Sequence, residues 1–318
     1  MHRIVALDAI SIPKAFPLPR PSFEHEWISY ETSKYEEIVP RAQDATIIIT
    51  NKCRLDRTVL EQLPRLQFIA ELATGYNNID VDYCKERGIG VATIQGYSTQ
   101  SVAEHTLTMM LMLSRNMLIT RKAMEEGLWV NANCFCQLPA PIHDLCGKTL
   151  TVVGNGAIGT KIADLARAFG MRTLKAEHKG AASVREGYTA FEEALKEADF
   201  ISVNCPLNAS TQNLITLKEM QLMKRSVCIV NNARGGVVNE ADLITALKDG
   251  VIAGAAADVS SKEPLTPDHP YAAALKLNNF ILTPHQAWMS DACLVELCRQ
   301  FGENIEAFNE GRKVRRIV

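Results

Sequence analysis

Arg234, Glu263 and His285 each follow a separate strand-like run. The run "SVCIVNN" (226–232) leads to Arg234, which sits between an alanine and two glycines. "IAGAAADV" (252–259) leads through Asp258 to Glu263, and "NFILTP" (279–284) leads to His285. Ligands of an open α/β sheet bind beyond the carboxyl ends of its strands, so a guanidinium, a carboxylate and an imidazole are expected to converge on one edge. That set matches the needs of 2-keto acid reduction: a carboxylate to be held, a carbonyl to be polarised and a proton to be delivered as hydride arrives. The planar fork of Arg234 suits carboxylate and carbonyl oxygens. His285 can give the proton, and take it back in the reverse direction. Glu263, hydrogen-bonded to the imidazole, would fix its tautomer and favour its charged form. Singly, each has a bland reading as a surface arginine, a solvated loop glutamate or a satisfied turn histidine. The conjunction carries the weight.

A hydride needs a carrier, and "LTVVGNGAIG" (150–159) offers a place for one. Gly154, Gly156 and Gly159 match G-x-G-x-x-G between a strand and a helix: the first allows the tight turn, the second lets the backbone approach a pyrophosphate, and the third lets the helix pack on the strand. The amides of Ala157 and Ile158 then lie at a helix N-terminus, where anions are favoured. Glu177 ends the next strand, 18 residues after Gly159. A carboxylate there accepts from an adenosine ribose diol and repels a 2′-phosphate, which points to NAD rather than NADP; His178 and Lys179 beside it would soften that discrimination.

These residues need a scaffold of alternating strands and helices. "RIVALDA" (3–9), "DATIIIT" (44–50), "LQFIAEL" (66–72) and "GIGVAT" (88–93) read as strands, with "LDRTVLEQLP" (55–64) and "VDYCKERG" (81–88) as helices between them. A long helical stretch is expected from about Thr99 to Glu126, then an irregular loop over 131–147. Six strands follow, at 148–154, 171–177, 199–205, 226–232, 252–259 and 279–284, with helices between. Thr216 and Glu219 form a capping box, Asn239 caps "EADLITALKDG", and Gly250 supplies its left-handed stop. The amphipathic stretch 290–311 has no strand after it and must bury its apolar stripe elsewhere, with the first domain as candidate. Alternation of this kind implies parallel sheets covered on both faces.

Length and composition leave few other classes open. The 318 residues suggest two domains, and 47% apolar with 22% charged residues is ordinary for a globular protein. A net charge of −2 with no Lys/Arg stripe excludes a nucleic-acid footprint. The most apolar window, "LTMMLMLSRNMLI" (107–119), is too short for a membrane span and is broken by Ser114, Arg115 and Asn116; it suits a core or subunit interface. Nine scattered cysteines and a start directly on a strand-like run suggest reduced thiols in the cytoplasm. Cys134 and Cys136 have no Cys or His cluster near them to complete a zinc site, so no metal is expected.

Seven motifs, in order, make the chain resemble the D-isomer-specific 2-hydroxyacid dehydrogenases, and within them the D-glycerate dehydrogenase/hydroxypyruvate reductase branch. They are "ATGYNNIDV" (73–81), "GYSTQSVAEHT" (96–106), "GNGAIG" (154–159), "NCPLNAST" (204–211), "NNARGGVVNEADL" (231–243), "AADVSSKEPL" (256–265) and "TPHQAW" (283–288). The resemblance implies an α/β protein of two doubly wound domains. A Rossmann NAD-binding domain (99–288) would be inserted into a flavodoxin-like substrate domain (1–98 and 289–318).

It also implies that Arg234, Glu263 and His285 are the catalytic set, that Asp258 holds the nicotinamide carboxamide, and that Asn232 and Ala233 line the cofactor site. Pro206 and Thr211 would lie by the adenosine, and Ala73, Thr74 and Gly75 would offer backbone amides to the substrate carboxylate. The segment Thr99–Val130 would serve as interdomain helix and contact of a homodimer. Three departures stand out. "AEHKGA" has Glu177 where many members have Asp followed by Arg, so cofactor choice rests on Glu177 alone. Lys262 adjoins Glu263. Trp288 falls where the family places substrate, which argues for a small one unless the ring packs between domains.

The expected reaction is NADH-linked reduction of hydroxypyruvate, or next glyoxylate, to the D-2-hydroxy acid. No second basic residue is placed for the distal carboxylate of a diacid, and Glu263 argues against a formate dehydrogenase. The rival class is an NAD(H)-sensing scaffold of the same fold family, against which the lack of long basic or disordered extensions counts.

Overall fold

The run Ile47-Ile48-Ile49 has no polar face, so a strand built from it needs cover on both sides. The computed structural model describes all residues, Met1–Val318, and buries all three isoleucines. The chain divides into two units, Met1–Tyr97 with Met289–Val318, and Ser98–Trp288.

In the first unit β1 (His2–Ala6), β2 (His25–Ser29), α1 (Tyr35–Ala42), β3 (Ile47–Thr50), α2 (Arg57–Leu60), β4 (Phe68–Glu71), α3 (Val81–Arg87) and β5 (Gly90–Ala92) follow one another. The five strands are parallel in the order β2-β1-β3-β4-β5, the flavodoxin-like arrangement. Two elements were not expected. β2 is an edge strand of sequence HEWIS with no fully buried residue, so it lacks the apolar run that marks its neighbours. α1 carries Pro40 inside it. The proline lies beyond the first turn, where its ring usually breaks a helix, and this masks the pattern of Ile38 and Ala42, the two residues that the helix buries.

The second unit begins with α4 (Thr99–Ser114) and α5 (Met117–Glu125) rather than one long helix. Asn116 breaks it with φ of +49°, a left-handed conformation that asparagine tolerates better than most residues. Then come β6 (Thr149–Val153), α6 (Ala157–Ala168), β7 (Arg172–Lys175), α7 (Phe191–Glu197), β8 (Phe200–Val203), α8 (Leu217–Met220), β9 (Cys228–Asn231), α9 (Glu240–Lys248), β10 (Gly254–Ala257), α10 (Pro270–Ala274) and β11 (Phe280–Leu282). The six expected strands form one parallel sheet ordered β11-β10-β9-β8-β6-β7. A lone bridge of Thr189 to Ala176 extends it beyond β7, so the Rossmann order survives with its third strand reduced to one pair. Met109, Met110, Val152, Ile162 and Val230 fill one face of the sheet, while Leu195, Ile201, Ile229, Leu243 and Leu247 fill the other. That accounts for the apolarity of 107–113. The caps form as expected: Glu219 accepts from the Thr216 amide at 2.9 Å, Asn239 from the Asp242 amide at 3.0 Å, and Gly250 has φ of +64°. No helix is long and apolar enough to cross a membrane.

The last helix, α11 (Asp291–Asn309), belongs to the first unit. Phe308 stacks on Phe68 of β4 with ring centroids 4.5 Å apart, Gln300 exchanges two hydrogen bonds with the backbone of Gln95, and the Asn304 amide donates to the Thr93 carbonyl.

Two buried carboxyl groups sit at the strand ends of this unit. Asp8, just after β1, accepts from the amides of Asn51, Lys52 and Cys53 and so shapes the turn after β3. Glu71 closes β4 with no exposure. One of its oxygens accepts from the Asn78 amide at 3.1 Å and the other has no partner. Burial lifts its pKa well above the carboxylate range; the Asn78 hydrogen bond opposes this and Asp8 reinforces it. In the unfolded chain this group ionises near pH 4, whereas in the fold it stays protonated well beyond that, so it disfavours the fold increasingly as pH rises. Glu71→Gln cannot titrate. Its melting temperature relative to the parent should therefore climb between pH 5 and pH 8; a difference independent of pH would show that Glu71 ionises normally.

Candidate active site

The residues expected at the site lie beyond the carboxyl ends of β6, β8, β9, β10 and β11. Gly154 follows β6 with φ of +93°, and a Cβ there would lie 2.6 Å from the Cys205 amide nitrogen, in the turn after β8. The two turns thus touch where the chain order reverses, the usual place for a crevice. A Cβ on Gly159 would meet the Gly154 carbonyl oxygen at 2.1 Å, whereas one on Gly156 would meet nothing within 4 Å. So two glycines are needed for backbone packing, while the middle one leaves open space in front of the α6 amides, among them those of Ala157 and Ile158. Asn155 and Asn232 each have a buried side-chain oxygen without a partner, an arrangement folding alone rarely leaves. Asn232 is oriented by donating to the Thr106 hydroxyl at 2.9 Å, and Ala233 by donating its amide to Asn231. A cavity of about 370 Å³ adjoins, lined by Gly154, Glu177, Arg185, Pro206, Thr211 and their neighbours. Within that lining Thr211 donates to the Pro206 carbonyl at 2.6 Å. Glycine cradle, helix N-terminus, orphaned acceptors and cavity together fit a dinucleotide.

Glu177 is more constrained than the sequence suggests. Its side chain is 3% exposed. It accepts from the amides of His178 (2.8 Å) and Arg185 (3.0 Å), and from the Nε (2.8 Å) and Nη2 (2.6 Å) of Arg185. Four donors occupy the four lone-pair directions of a carboxylate, so a ribose diol reaches it only by displacing one. The Arg185 side-chain hydrogen bonds, ahead of the two backbone amides, bring the Glu177 pKa down to about 2. The group is therefore charged throughout the working pH range, and what it adds to stability fades only as pH falls from the ordinary Glu range through about 2. Arg185 also stacks over Tyr188, 4.0 Å from the ring centre. Lys179 is engaged with Glu219 at 2.9 Å, and His178 projects into solvent with its Nδ1 3.3 Å from Glu177. Arg185 gave no signal in the sequence: it lies eight residues beyond its partner, across an irregular loop.

The other expected residues come from three adjacent strands. Arg234 is exposed after β9, its guanidinium donating to the Ala233 carbonyl at 2.8 Å. Asp258, after β10, is 2% exposed. One of its oxygens accepts from the Thr283 hydroxyl (2.5 Å) and the Gln286 amide (2.9 Å), and the other from the Ala287 amide (2.9 Å). Its carbonyl also accepts from the His285 amide at 2.8 Å. These bonds fold the turn that carries His285, whose φ of +52° is a strained value for a residue with a side chain, costing on the order of 1–3 kcal/mol. Behind the turn, His105 of α4 donates to the Thr283 hydroxyl at 3.1 Å. Burial pushes its pKa down while Asp258 opposes the shift.

His285 Nδ1 donates to Glu263 Oε2 at 2.7 Å, with the side chains 26% and 33% exposed. That fixes the tautomer and leaves Nε2 as the nitrogen able to pass a proton. Glu263 is held in turn: its other oxygen accepts from the Ser260 amide at 3.0 Å. Trp288 is half-buried at the end of this unit. Ala73, Thr74 and Gly75 follow β4 in the first unit, where Thr74 donates to the Ile94 carbonyl at 2.6 Å and Ala73 accepts from the Ile94 amide at 3.0 Å. No cluster of three His, Cys, Asp or Glu side chains could hold a metal.

Residues 107–287 match the family model "D-isomer specific 2-hydroxyacid dehydrogenase, NAD binding domain". Over its length the chain is 43% identical to a Haemophilus influenzae protein provisionally classed as a 2-hydroxyacid dehydrogenase, covering 96% of this chain and 98% of the relative. It is 38% identical to a glycerate dehydrogenase of Methylorubrum extorquens, over 92% of this chain and 91% of that one. A Thermus thermophilus protein of solved structure superposes with a TM-score of 0.86 at 30% identity, over 99% of this chain and all of that chain.

Arg185 pairs with Glu177 and lines the same cavity, so it adds a cation beside the carboxylate on which the choice between NAD and NADP was expected to rest. Arg185→Ala should leave an uncompensated carboxylate and raise the ratio of kcat/KM with NADH to that with NADPH by roughly two- to fivefold, about the effect of one partly exposed charge pair. Equal ratios for parent and variant would show that Arg185 takes no part in the discrimination.

Proposed function

The chain belongs to the D-isomer specific 2-hydroxyacid dehydrogenases, and from that premise we propose that it reduces a small 2-keto acid, hydroxypyruvate first and glyoxylate second, to the D-2-hydroxy acid with NADH. It is an oxidoreductase with NAD as cofactor, which when bound supplies or accepts the hydride. The observation that carries the reading is the 2.7 Å hydrogen bond from His285 to Glu263 at the edge shared with the glycine cradle. His285 gives its Nε2 proton to the oxygen that becomes the hydroxyl, and takes it back in the reverse direction. Glu263 holds the ring and compensates its charge while it is an imidazolium. Arg234 binds the substrate carboxylate and carbonyl through its planar fork. Asn232 and Ala233 line the nicotinamide side, and Pro206, Thr211 and Glu177 the adenosine side. Asp258 acts chiefly through the turn it folds.

The size of Trp288 and the similarity to a glycerate dehydrogenase support a small substrate. Ala73, Thr74 and Gly75 are proposed as further donors to the substrate carboxylate, with the first unit as the substrate domain and the second as the cofactor domain. Nine free cysteines suit a reducing cytoplasm. A homodimer is proposed through Thr99–Val130 and the loop after it, where Trp129 (58% exposed), Val130 (88%) and Phe135 (87%) present apolar surface that a monomer would leave in water.

Initial rates over a panel of keto acids with NADH should be highest for hydroxypyruvate and glyoxylate. Turnover of none of them would favour a sensor over an enzyme. His285→Ala should lower kcat by roughly a hundredfold or more while leaving NADH binding, followed by its fluorescence, intact; unchanged kcat would remove His285 from its role. Equilibrium sedimentation should give twice the chain mass, and a monomer at micromolar concentration would refute the dimer.

A further inference from the structure

The loop that carries Glu263 is anchored by a buried cluster with no part in the chemistry just described. Glu240 is the first residue of α9 and is 8% exposed; His269 is 7% exposed and caps α10. One Glu240 oxygen accepts from the Ser261 amide at 2.6 Å. The other accepts from the Ser261 hydroxyl at 2.5 Å and faces His269 Nε2 at 2.8 Å. The direction of the last bond follows from the far side of the ring: His269 Nδ1 accepts from the Tyr271 amide at 3.2 Å, so Nδ1 carries a lone pair and the proton is on Nε2, which donates to Glu240.

This carboxylate therefore joins α9, α10 and the loop after β10 at one point. The same stretch of loop is walled on its other side by Gly235, where a Cβ would lie 2.0 Å from the Ser260 carbonyl carbon and 2.2 Å from the Ser261 amide nitrogen. Ser260 then donates its amide to one oxygen of Glu263, whose other oxygen takes the His285 proton. The backbone carrying Arg234 rests on the loop carrying Glu263, and Glu240 fixes that loop from behind.

We propose that Glu240 is a positioning residue for the reaction: through Ser261 it sets the place of Glu263, and so the geometry of the Glu263–His285 pair. This rests on the catalytic reading of that pair given above. The carboxylate is specifically required, because Ser261 N–H needs an acceptor on one side and His269 Nε2–H needs one on the other. An amide has a single oxygen, so Glu240→Gln sets its NH₂ against one of these donors and loosens the loop or α10. Outer partners that hold the group orienting a reacting side chain are typically worth about tenfold to a hundredfold.

The test is steady-state kinetics with NADH and the best keto acid across pH, on parent, Glu240→Gln, Ser261→Ala and His285→Ala, with melting temperatures alongside. Reduction needs the protonated imidazole, so kcat/KM falls on the alkaline side. A looser Glu263 compensates the imidazolium less, and the fall then starts at lower pH. Expected for Glu240→Gln are a roughly tenfold or greater loss of kcat, KM for NADH within about twofold, and an alkaline limb displaced to lower pH. Ser261→Ala keeps the amide and loses only the hydroxyl; it should displace the limb in the same direction by less, and it serves as the test if Glu240→Gln does not fold. A lower melting temperature with kcat and limb unchanged would make the cluster merely structural and overturn the proposal. Wild-type turnover by His285→Ala would bring down the catalytic reading and this inference together, whereas an inactive His285→Ala beside a fully active Glu240→Gln would overturn this inference alone.

Discussion

The turn that presents His285 depends on the enclosed carboxylate of Asp258. A histidine in the left-handed region sits in a conformation its own backbone disfavours, and only surroundings that over-determine it can keep it there. Asp258 does so with two oxygens and a carbonyl, gathering Thr283, His285, Gln286 and Ala287 around one buried point at the end of β10. Its enclosure is what makes those bonds effective, since in a low-dielectric setting an unsatisfied amide is expensive and an alternative turn would leave several. The first unit repeats the device: Asp8, at the end of β1, gathers the amides of Asn51, Lys52 and Cys53. In both sheets, an aspartate at one strand end shapes the turn that follows a neighbouring strand.

Much of the architecture was legible in the sequence because parallel sheets make it so. Strands buried on both faces are continuous apolar runs, and five of the six in the second unit were recognisable for that reason; β7, with Arg172 and Lys175 exposed at its ends, was placed by its spacing after the glycine loop and its helix. The elements that escaped lack this signal. β2 lies at an edge and keeps polar residues, α1 holds a proline, and the break between α4 and α5 depends on the backbone of one asparagine. The site divides the same way. Arg234, Glu263 and His285 were singled out because each follows a strand of the second sheet, and the structure pairs Glu263 with His285. Arg185, Glu240 and His269 were not singled out for the site. Their partners lie eight, 21 and 29 residues away, and nothing local in a chain records which distant carboxylate an arginine will meet.

The adenosine end shows why a motif and a geometry differ in kind. A carboxylate after the second strand of a Rossmann unit reads as a ribose acceptor, yet the fold presents Glu177 with its lone pairs already taken by Arg185 and two amides. The charge is where the motif puts it. Its availability is set by a residue outside the motif: the carboxylate is enclosed in an ion pair of which only Arg185 is exposed.

The placement of α11 governs how the protein comes into being. Phe68 finds Phe308, and Gln95 finds Gln300, only when the C-terminal end of the chain has been made. At ribosomal rates of roughly 5–20 residues per second, the stretch that ends at Tyr97 waits tens of seconds with one sheet face uncovered, while the inserted unit, contiguous from Ser98 to Trp288, already has all its strands. During synthesis the first 97 residues are thus the last part of the chain to mature, although they are the first made.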